Sequence, residues 1–345
     1  MSLFITIISF VFILGVTVTI HEFGHFLFAK KAGIYVYEFS IGMGPRLFKF
    51  NRKNDETDYS IRLFPIGGYV QMAGEDIEVD KNIPKDKLLQ SKTWLQRFLT
   101  MVAGVMFNFL LAIFVLFIIA LFKGVTLDAT RIDTSKIEGL KSGDKIISVD
   151  GNFVNNYDKL ALELSVAGSK KFDIKVKHKD GSYDTFAIKP KAVYDKKDKL
   201  MGYEYGFTIT GKDEKGFIAA IKYAFVKFVS IIEQMFFTVW YLITGKISLK
   251  LLSGPVGIFS IVGSAAKTGF FSVLSLLALI SVNVGFINLL PIPAFDGGHI
   301  LFLIIEKIKG SKVNPKVENI IHTVFFVLLM ALMVYITFND VLRLF

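Results

Sequence analysis

The chain is divided by apolar blocks about as long as a bilayer is thick, and no other feature constrains its fold so strongly. A helix needs about twenty predominantly apolar residues to cross the hydrocarbon core. Four stretches read as crossings: Ser2 to Ala29, Phe98 to Phe122, Phe271 to Ile292 and Ile321 to Ile336. Hydrophobic residues make up 52% of the 345 positions, more than a soluble domain requires. The 40 Lys and Arg against 30 Asp and Glu fit cations flanking membrane spans. No nucleic-acid motif accompanies them, so nucleic acid is not an expected partner. There is no cysteine, which excludes disulfides, thiolate ligands and a cysteine nucleophile, so any metal must sit on His, Asp or Glu.

The first block has no Lys or Arg in Met1 to Phe4 and ends in His21-Glu22, not in small residues, so it reads as a retained span. A fifth stretch, Phe217 to Thr244, is ambiguous. It carries Lys222, Lys227, Glu233 and Gln234 among apolar residues, which suits a helix lying on the membrane as well as a span. Between the first two spans, alternation at Tyr59 to Phe64 and the pair Gly67-Gly68 predict short strands and turns near the membrane. Cations crowd the exit of the first span and the loop holding Lys307, Lys309, Lys312 and Lys316, which makes both cytoplasmic. From about Val125 to Thr210 the pattern is that of a small soluble β-rich domain. Turns are expected at Gly143-Asp144, Asp150-Gly151 and Asp180-Gly181, and one helix near Tyr157 to Val166. Its place between spans two and three puts it outside the cytoplasm.

His21-Glu22-Phe23-Gly24-His25 is an H-E-x-x-H sequence within a predicted helix, where residues four apart share a face. Two imidazoles so placed can grip one Zn²⁺ while the glutamate beside the first serves as general base. Ionisable groups at this depth of a span are costly and by default signal function. His21 lies about 27 Å along its helix from Leu3, towards the cytoplasmic side. A catalytic zinc needs a third protein ligand. Asp296 is favoured, because it directly follows an apolar span broken by Pro291 and Pro293; His299, farther into the loop, is the rival. His178 and His322 read as surface and interfacial residues. The two halves of such a site must share one depth. Were Phe217 to Thr244 to cross, Asp296 would fall on the wrong side, so that stretch is expected to stay in the outer interface.

These residues resemble the site-2 protease family of intramembrane zinc metalloproteases, in its bacterial branch with one inserted PDZ domain. The resemblance is carried by His21 to His25, Phe39 to Gly44, Pro65 to Val70, Ser253 to Gly257, Asn283 to Pro291 and Asp296 to Gly298, which follow the family's order over nearly the whole chain. Phe295 departs from the family's usual Leu before Asp-Gly, one apolar residue for another. The resemblance implies that His21, His25 and Asp296 bind the metal, that Glu22 is the catalytic base and that Asn288 contacts substrate. Gly139 to Gly151 resembles a PDZ signature and Tyr205 to Ile209 its closing strand, which implies a domain that takes an extended peptide by strand addition and filters pre-trimmed substrates.

The expected architecture is a polytopic α-helical membrane protein with four transmembrane helices, a membrane-associated β-hairpin region and one inserted PDZ-like β-rich domain. Its segments are a first helix (1–29), cytoplasmic-side strands and loops (30–96), a second helix (97–123), the extracytoplasmic PDZ-like domain (124–211) and an amphipathic interfacial segment (212–270). A third helix carrying Asp296 (271–298), a cytoplasmic loop (299–319) and a fourth helix (320–345) follow. The expected activity is zinc-dependent hydrolysis of a peptide bond inside the transmembrane segment of a pre-trimmed, single-span membrane protein, such as an anti-sigma factor or a signal-peptide remnant. The expected setting is the bacterial cytoplasmic membrane, with the site near its cytoplasmic face. Strands around Arg62 to Met72, with Gly67, Gly68 and Tyr69, are expected to hold the unwound substrate as an added strand, although a tight turn also accounts for the glycine pair. Two other readings are a catalytically silent scaffold binding peptides through the PDZ-like domain, and a membrane-anchored zincin with a glutamate as third ligand.

Overall fold

Long runs of Leu, Ile, Phe and Val without internal proline fold as helices, because in hydrocarbon each backbone N–H and C=O must be paired within its own segment. A computed structural model of the protein describes residues 3–53, 55–75, 83–194, 200–248 and 252–342. Met1, Ser2 and residues 343–345, at the ends of the first and last expected spans, lie outside the described residues. Helix α1 (Leu3–Lys31) leads into strands β1 (Val36–Asn51) and β2 (Asp58–Met72), followed by α2 (Trp94–Lys123). The β-rich region comprises β3 (Val125–Ser135), β4 (Lys145–Val149), β5 (Asn152–Phe153), α3 (Tyr157–Ala167), β6 (Phe172–Lys177), β7 (Tyr183–Ile188), β8 (Lys191–Tyr194), β9 (Leu200–Glu204) and β10 (Phe207–Glu214). Helices α4 (Phe217–Ile243), α5 (Pro255–Thr268), α6 (Phe270–Leu289), α7 (Asp296–Lys309) and α8 (Pro315–Leu342) complete the chain.

Among the described residues five helices are long and apolar enough to cross a membrane: α1, α2, α4, α6 and α8. The sequence pointed to four, and α4 is the ambiguous stretch, the least apolar of the five. Two boundaries differ from expectation. The third span ends at Leu289 because Leu290 to Phe295, with Pro291 and Pro293, cannot continue it, and Asp296, expected within that helix, opens α7, which runs on to Lys309 through part of the expected loop 299–319. The segment after α4 contains α5, whose start is marked by proline at its first turn.

The chain forms two compact units, 1–115 with 250–345, and 116–249. In the first, α1 and α2 touch at Gly24, where a Cβ would collide with the Ala103 carbonyl. Ala29, Ile34, Val36, Phe39, Val70, Met72, Met101, Ile300 and Leu303 form a buried cluster joining α1, the paired strands, α2 and α7. The strands double back: Ser40 pairs with both Tyr69 and Ser60, and Ile41 with both Gly68 and Ile61, so 68–72 is an outer segment. Asp340, buried in α8, accepts a 2.8 Å hydrogen bond from the Gly257 N–H in the first turn of α5, where an anion also complements the helix dipole.

In the second unit, sheet order is β10-β3-β4-β6-β7, with β5 on β4, so β10 is an edge strand. Strict alternation in Phe172-Asp-Ile-Lys-Val-Lys177 buries Phe172, Ile174 and Val176 in a core with Ile132, Ile146, Val149, Leu160 and Ile188. Asp150 and Gly151, at φ 47° and 78°, make the left-handed two-residue turn expected of Asp-Gly between β4 and β5. The polar face of α4 is bonded to α3 and the residues before it. Lys227 Nζ lies 2.6 Å from Asp158, Glu233 accepts from Asn155 and Asn156, and Tyr241 donates to Glu163 at 2.6 Å.

Candidate metal centre

The helical spacing of His21 and His25 puts both rings on the α1 face turned to α2, and each residue is only 6% exposed. Asp296 arrives from the other end of the chain at the first position of α7. The loop before it is tightly folded: Ala294 has φ 87°, unusual for a residue with a Cβ, and its N–H donates to His322 Nδ1 at 3.1 Å. Gly297 lies against the Leu289 and Leu290 carbonyls and Gly298 against Pro293, so neither position has room for a side chain.

The three predicted ligands converge. Asp296 Oδ2 is 3.1 Å from His21 Nε2 and 3.3 Å from His25 Nε2, and the two Nε2 atoms are 3.2 Å apart. Gly104 of α2 makes room for this, since a Cβ there would lie 2.8 Å from His21 Nε2 and collide with His25 Nε2. His25 Nδ1 donates to the Thr100 carbonyl at 2.8 Å, which leaves the neutral ring's Nε2 as a bare lone pair aimed at a carboxylate. Asp296 Oδ2 is buried and has no hydrogen-bond partner. A cation between them would relieve the repulsion between the His25 lone pair and the carboxylate. Tetrahedral zinc with ligand bonds near 2.0 to 2.2 Å has ligand-to-ligand edges of about 3.3 Å, so the residues fit that ion.

Glu22 accepts from the Val70 backbone N–H, and Gly68 lies beside it, its Cβ position 3.5 Å from Glu22 Cγ. The outer segment 68–72 therefore borders Glu22. Gly68 also abuts the Ser40 carbonyl, which excludes a side chain. The Tyr69 hydroxyl donates to Glu38 at 2.8 Å and accepts from Arg62. Burial opposes ionisation of Glu38, but hydrogen bonds from Ser60, Arg62 and Tyr69 outweigh it and hold the carboxyl below the usual glutamate range. The phenol of Tyr69 is thus committed to the fold, and its backbone pairs with Ser40. Asn288 sits half-buried in the last turn of α6.

His299 is not among the three converging groups. Its Nδ1 is 3.3 Å from Glu318, and its ring stacks on His322 at 4.0 Å between centroids. His299, Glu318 and His322 form a second group with metal-ligand side chains. There the Ala294 N–H occupies His322 Nδ1, so the neutral ring's Nε2 carries hydrogen and presents no lone pair. His178, expected at the surface, bridges Asp144 at 2.9 Å and Asp184 at 3.0 Å in the β domain. Sequence reasoning did not single out Thr100, Gly104 or Asn108, although an asparagine within an apolar span is the kind of residue that marks function. Asn108 Nδ2 lies 3.2 Å from His21 Nδ1.

Residues 9–332 match the family model described as peptidase family M50. The chain belongs to that family. It is 31% identical to the zinc metalloprotease RasP of Shouchella clausii and 31% identical to the regulator of sigma-W protease RasP of Bacillus subtilis, with 99% of both chains covered in each case. It is 33% identical to a putative zinc metalloprotease of Clostridium acetobutylicum, with 98% of both chains covered. The protein is a site-2-type intramembrane metalloprotease that uses zinc, and a multi-pass membrane protein.

Proposed function

We propose that His21, His25 and Asp296 hold the zinc, that Glu22 is the catalytic base, and that the substrate is the transmembrane segment of a membrane protein whose outer part has already been removed. The convergence of Asp296 Oδ2 on two ring nitrogens at 3.1 and 3.3 Å, beside a glutamate that is not part of the triangle, carries this reading. Zinc, when bound, supplies a Lewis acid that polarises the scissile carbonyl. Glu22 takes a proton from water as its oxygen bonds to the carbonyl carbon, and returns it to the amide nitrogen as the C–N bond breaks. A silent scaffold has no use for that carboxylate.

A substrate helix must unwind before its carbonyl can be reached, and hydrocarbon offers its freed backbone groups no partner. The outer edge of 68–72 is suited to pair with the extended segment, with Gly67 and Gly68 giving close approach and Asn288 a side-chain amide for a backbone group. Exposed Met43, Leu47, Phe48 and Phe50 beside Arg46 and Lys49 suit a hairpin tip resting in lipid headgroups. The β3 to β10 region is read as a PDZ-like filter outside the cytoplasm. Its open edge strand β10 supports peptide addition there.

The bonds from Lys227 to Tyr241 hold about 21 Å of α4 against α3 and its N-terminal flank, and a domain with a charged surface cannot enter hydrocarbon. They favour four crossings with α4 on the outer surface, which lets the α1 and α6 ends meet near the cytoplasmic face. The Bacillus relative is named for regulating sigma-W, and membrane-bound anti-sigma factors are therefore the first substrate class to try. The test is to incubate purified protein with a panel of trimmed single-span bacterial membrane proteins, with and without chelator, and locate the cut by mass. Chelator-sensitive cleavage within the span supports the reading; cleavage only in exposed loops contradicts it.

A further inference from the structure

Two histidines that share a metal must each offer one ring nitrogen as a lone pair, and a neutral imidazole does so only when its other nitrogen carries the proton. For His25 the Thr100 carbonyl at 2.8 Å settles this, because a carbonyl only accepts. His21 faces an ambiguous partner instead, the side-chain amide of Asn108 at 3.2 Å from Nδ1. An amide can present its amino group or its oxygen by a half-turn. With the amino group towards the ring, Nδ1 accepts, Nε2 carries hydrogen, and Asn108 Oδ1 is left buried without a partner. With the oxygen towards the ring, Nδ1 donates to Oδ1, and His21 Nε2 becomes a lone pair of the triangle. Only the second arrangement leaves His21 Nε2, like His25 Nε2, as a lone pair beside Asp296, so the fully buried Asn108 serves a metal there only with its oxygen towards the ring.

We propose that Asn108 is a positioning residue of the metal centre, its side-chain oxygen accepting the Nδ1 hydrogen of His21 so that the Nε2 lone pair faces the site. The inference rests on the reading of His21 as a ligand. Thr100, Gly104 and Asn108 recur at four-residue intervals, so one face of α2 serves both rings. Thr100 orients His25, Gly104 admits both rings, and Asn108 orients His21. Partners of this kind typically change metal affinity 10- to 100-fold.

Zinc affinity of the full-length protein, measured by competition with a chromogenic chelator, and the visible spectrum of the Co²⁺-substituted protein report ligation independently of proteolysis. Asn108→Leu removes the acceptor and is expected to weaken zinc binding about 10- to 100-fold and to alter the Co²⁺ bands. Asn108→Asp keeps an acceptor and is expected to bind as the native protein does. Thermal unfolding of the metal-free forms controls for folding. Asn108→Ala, which leaves a gap and no misfit, carries the same expectation as Asn108→Leu. Native affinity and spectrum in the Leu and Ala variants, or an equal loss in the Asp variant, would overturn the proposal. His21→Ala provides the reference. If it retains native affinity, the ligand reading fails; if it loses zinc while Asn108→Leu and Asn108→Ala do not, only the role of Asn108 fails.

Discussion

At the scale of single residues, Asp296 and not His299 lies within 3.3 Å of Nε2 of both His21 and His25. Asp296→Ala removes one corner of the triangle and is expected to abolish stoichiometric zinc binding. His299→Ala touches only Glu318 and the His322 stack, so it should leave the zinc content intact. Metal analysis of the two purified variants checks this, and a loss confined to the His299 variant would place the third ligand there. Gly104→Ala should also lower zinc content, because the added Cβ meets Nε2 of both His21 and His25. The histidine pair and its glutamate were legible in sequence because four-residue spacing is local. Asp296 was favoured in sequence by the span broken at Pro291 and Pro293 and by the family resemblance, but the loop conformation that delivers it, with its left-handed Ala294, is not encoded in periodicity. Asn108 carried a signal, a polar amide in an apolar run, but its partner lies 87 positions away.

Among the elements, the attachment of α4 to α3 depends on charges removed from water. Lys159 and Glu163 are each 3% exposed and paired, with Tyr241 donating to the carboxylate and the Phe237 ring 3.2 Å from the ammonium. Glu163→Leu leaves Lys159 buried without its counter-charge and is expected to cost about 3 to 5 kcal/mol, whereas Lys159→Met with Glu163→Leu should recover most of the loss. Chemical unfolding of the three proteins tests this, and equal stability of the single and double variants would contradict it. Part of the β domain was readable: α3 falls where a helix was expected, and the Asp150-Gly151 turn lies between β4 and β5. The roles of α4 and α5 were not. Lys227 and Glu233 of α4 are explained by Asp158, Asn155 and Asn156, and the start of α5 by Asp340. None of these pairings leaves a periodic trace in sequence.

For the whole molecule, the number of crossings decides whether the two halves of the centre share a depth. Four crossings place the β domain, α4 and α5 together outside, and the loop before α8 inside. The native chain has no cysteine, so single cysteines at Asp150, Ser248 and Lys267 should all react with an impermeant reagent added to intact cells, and one at Lys312 should not. Protection of Ser248 and Lys267 while Asp150 still reacts would mean that α4 crosses. A zinc held by three residues with a separate carboxylate as base makes a sharp demand on Glu22→Gln, with zinc content and span cleavage measured on the same sample. Native zinc stoichiometry is expected, with cleavage lowered about 10²- to 10⁴-fold, the usual contribution of a general base. A fully zinc-loaded Glu22→Gln protein that cleaves at the native rate would contradict it.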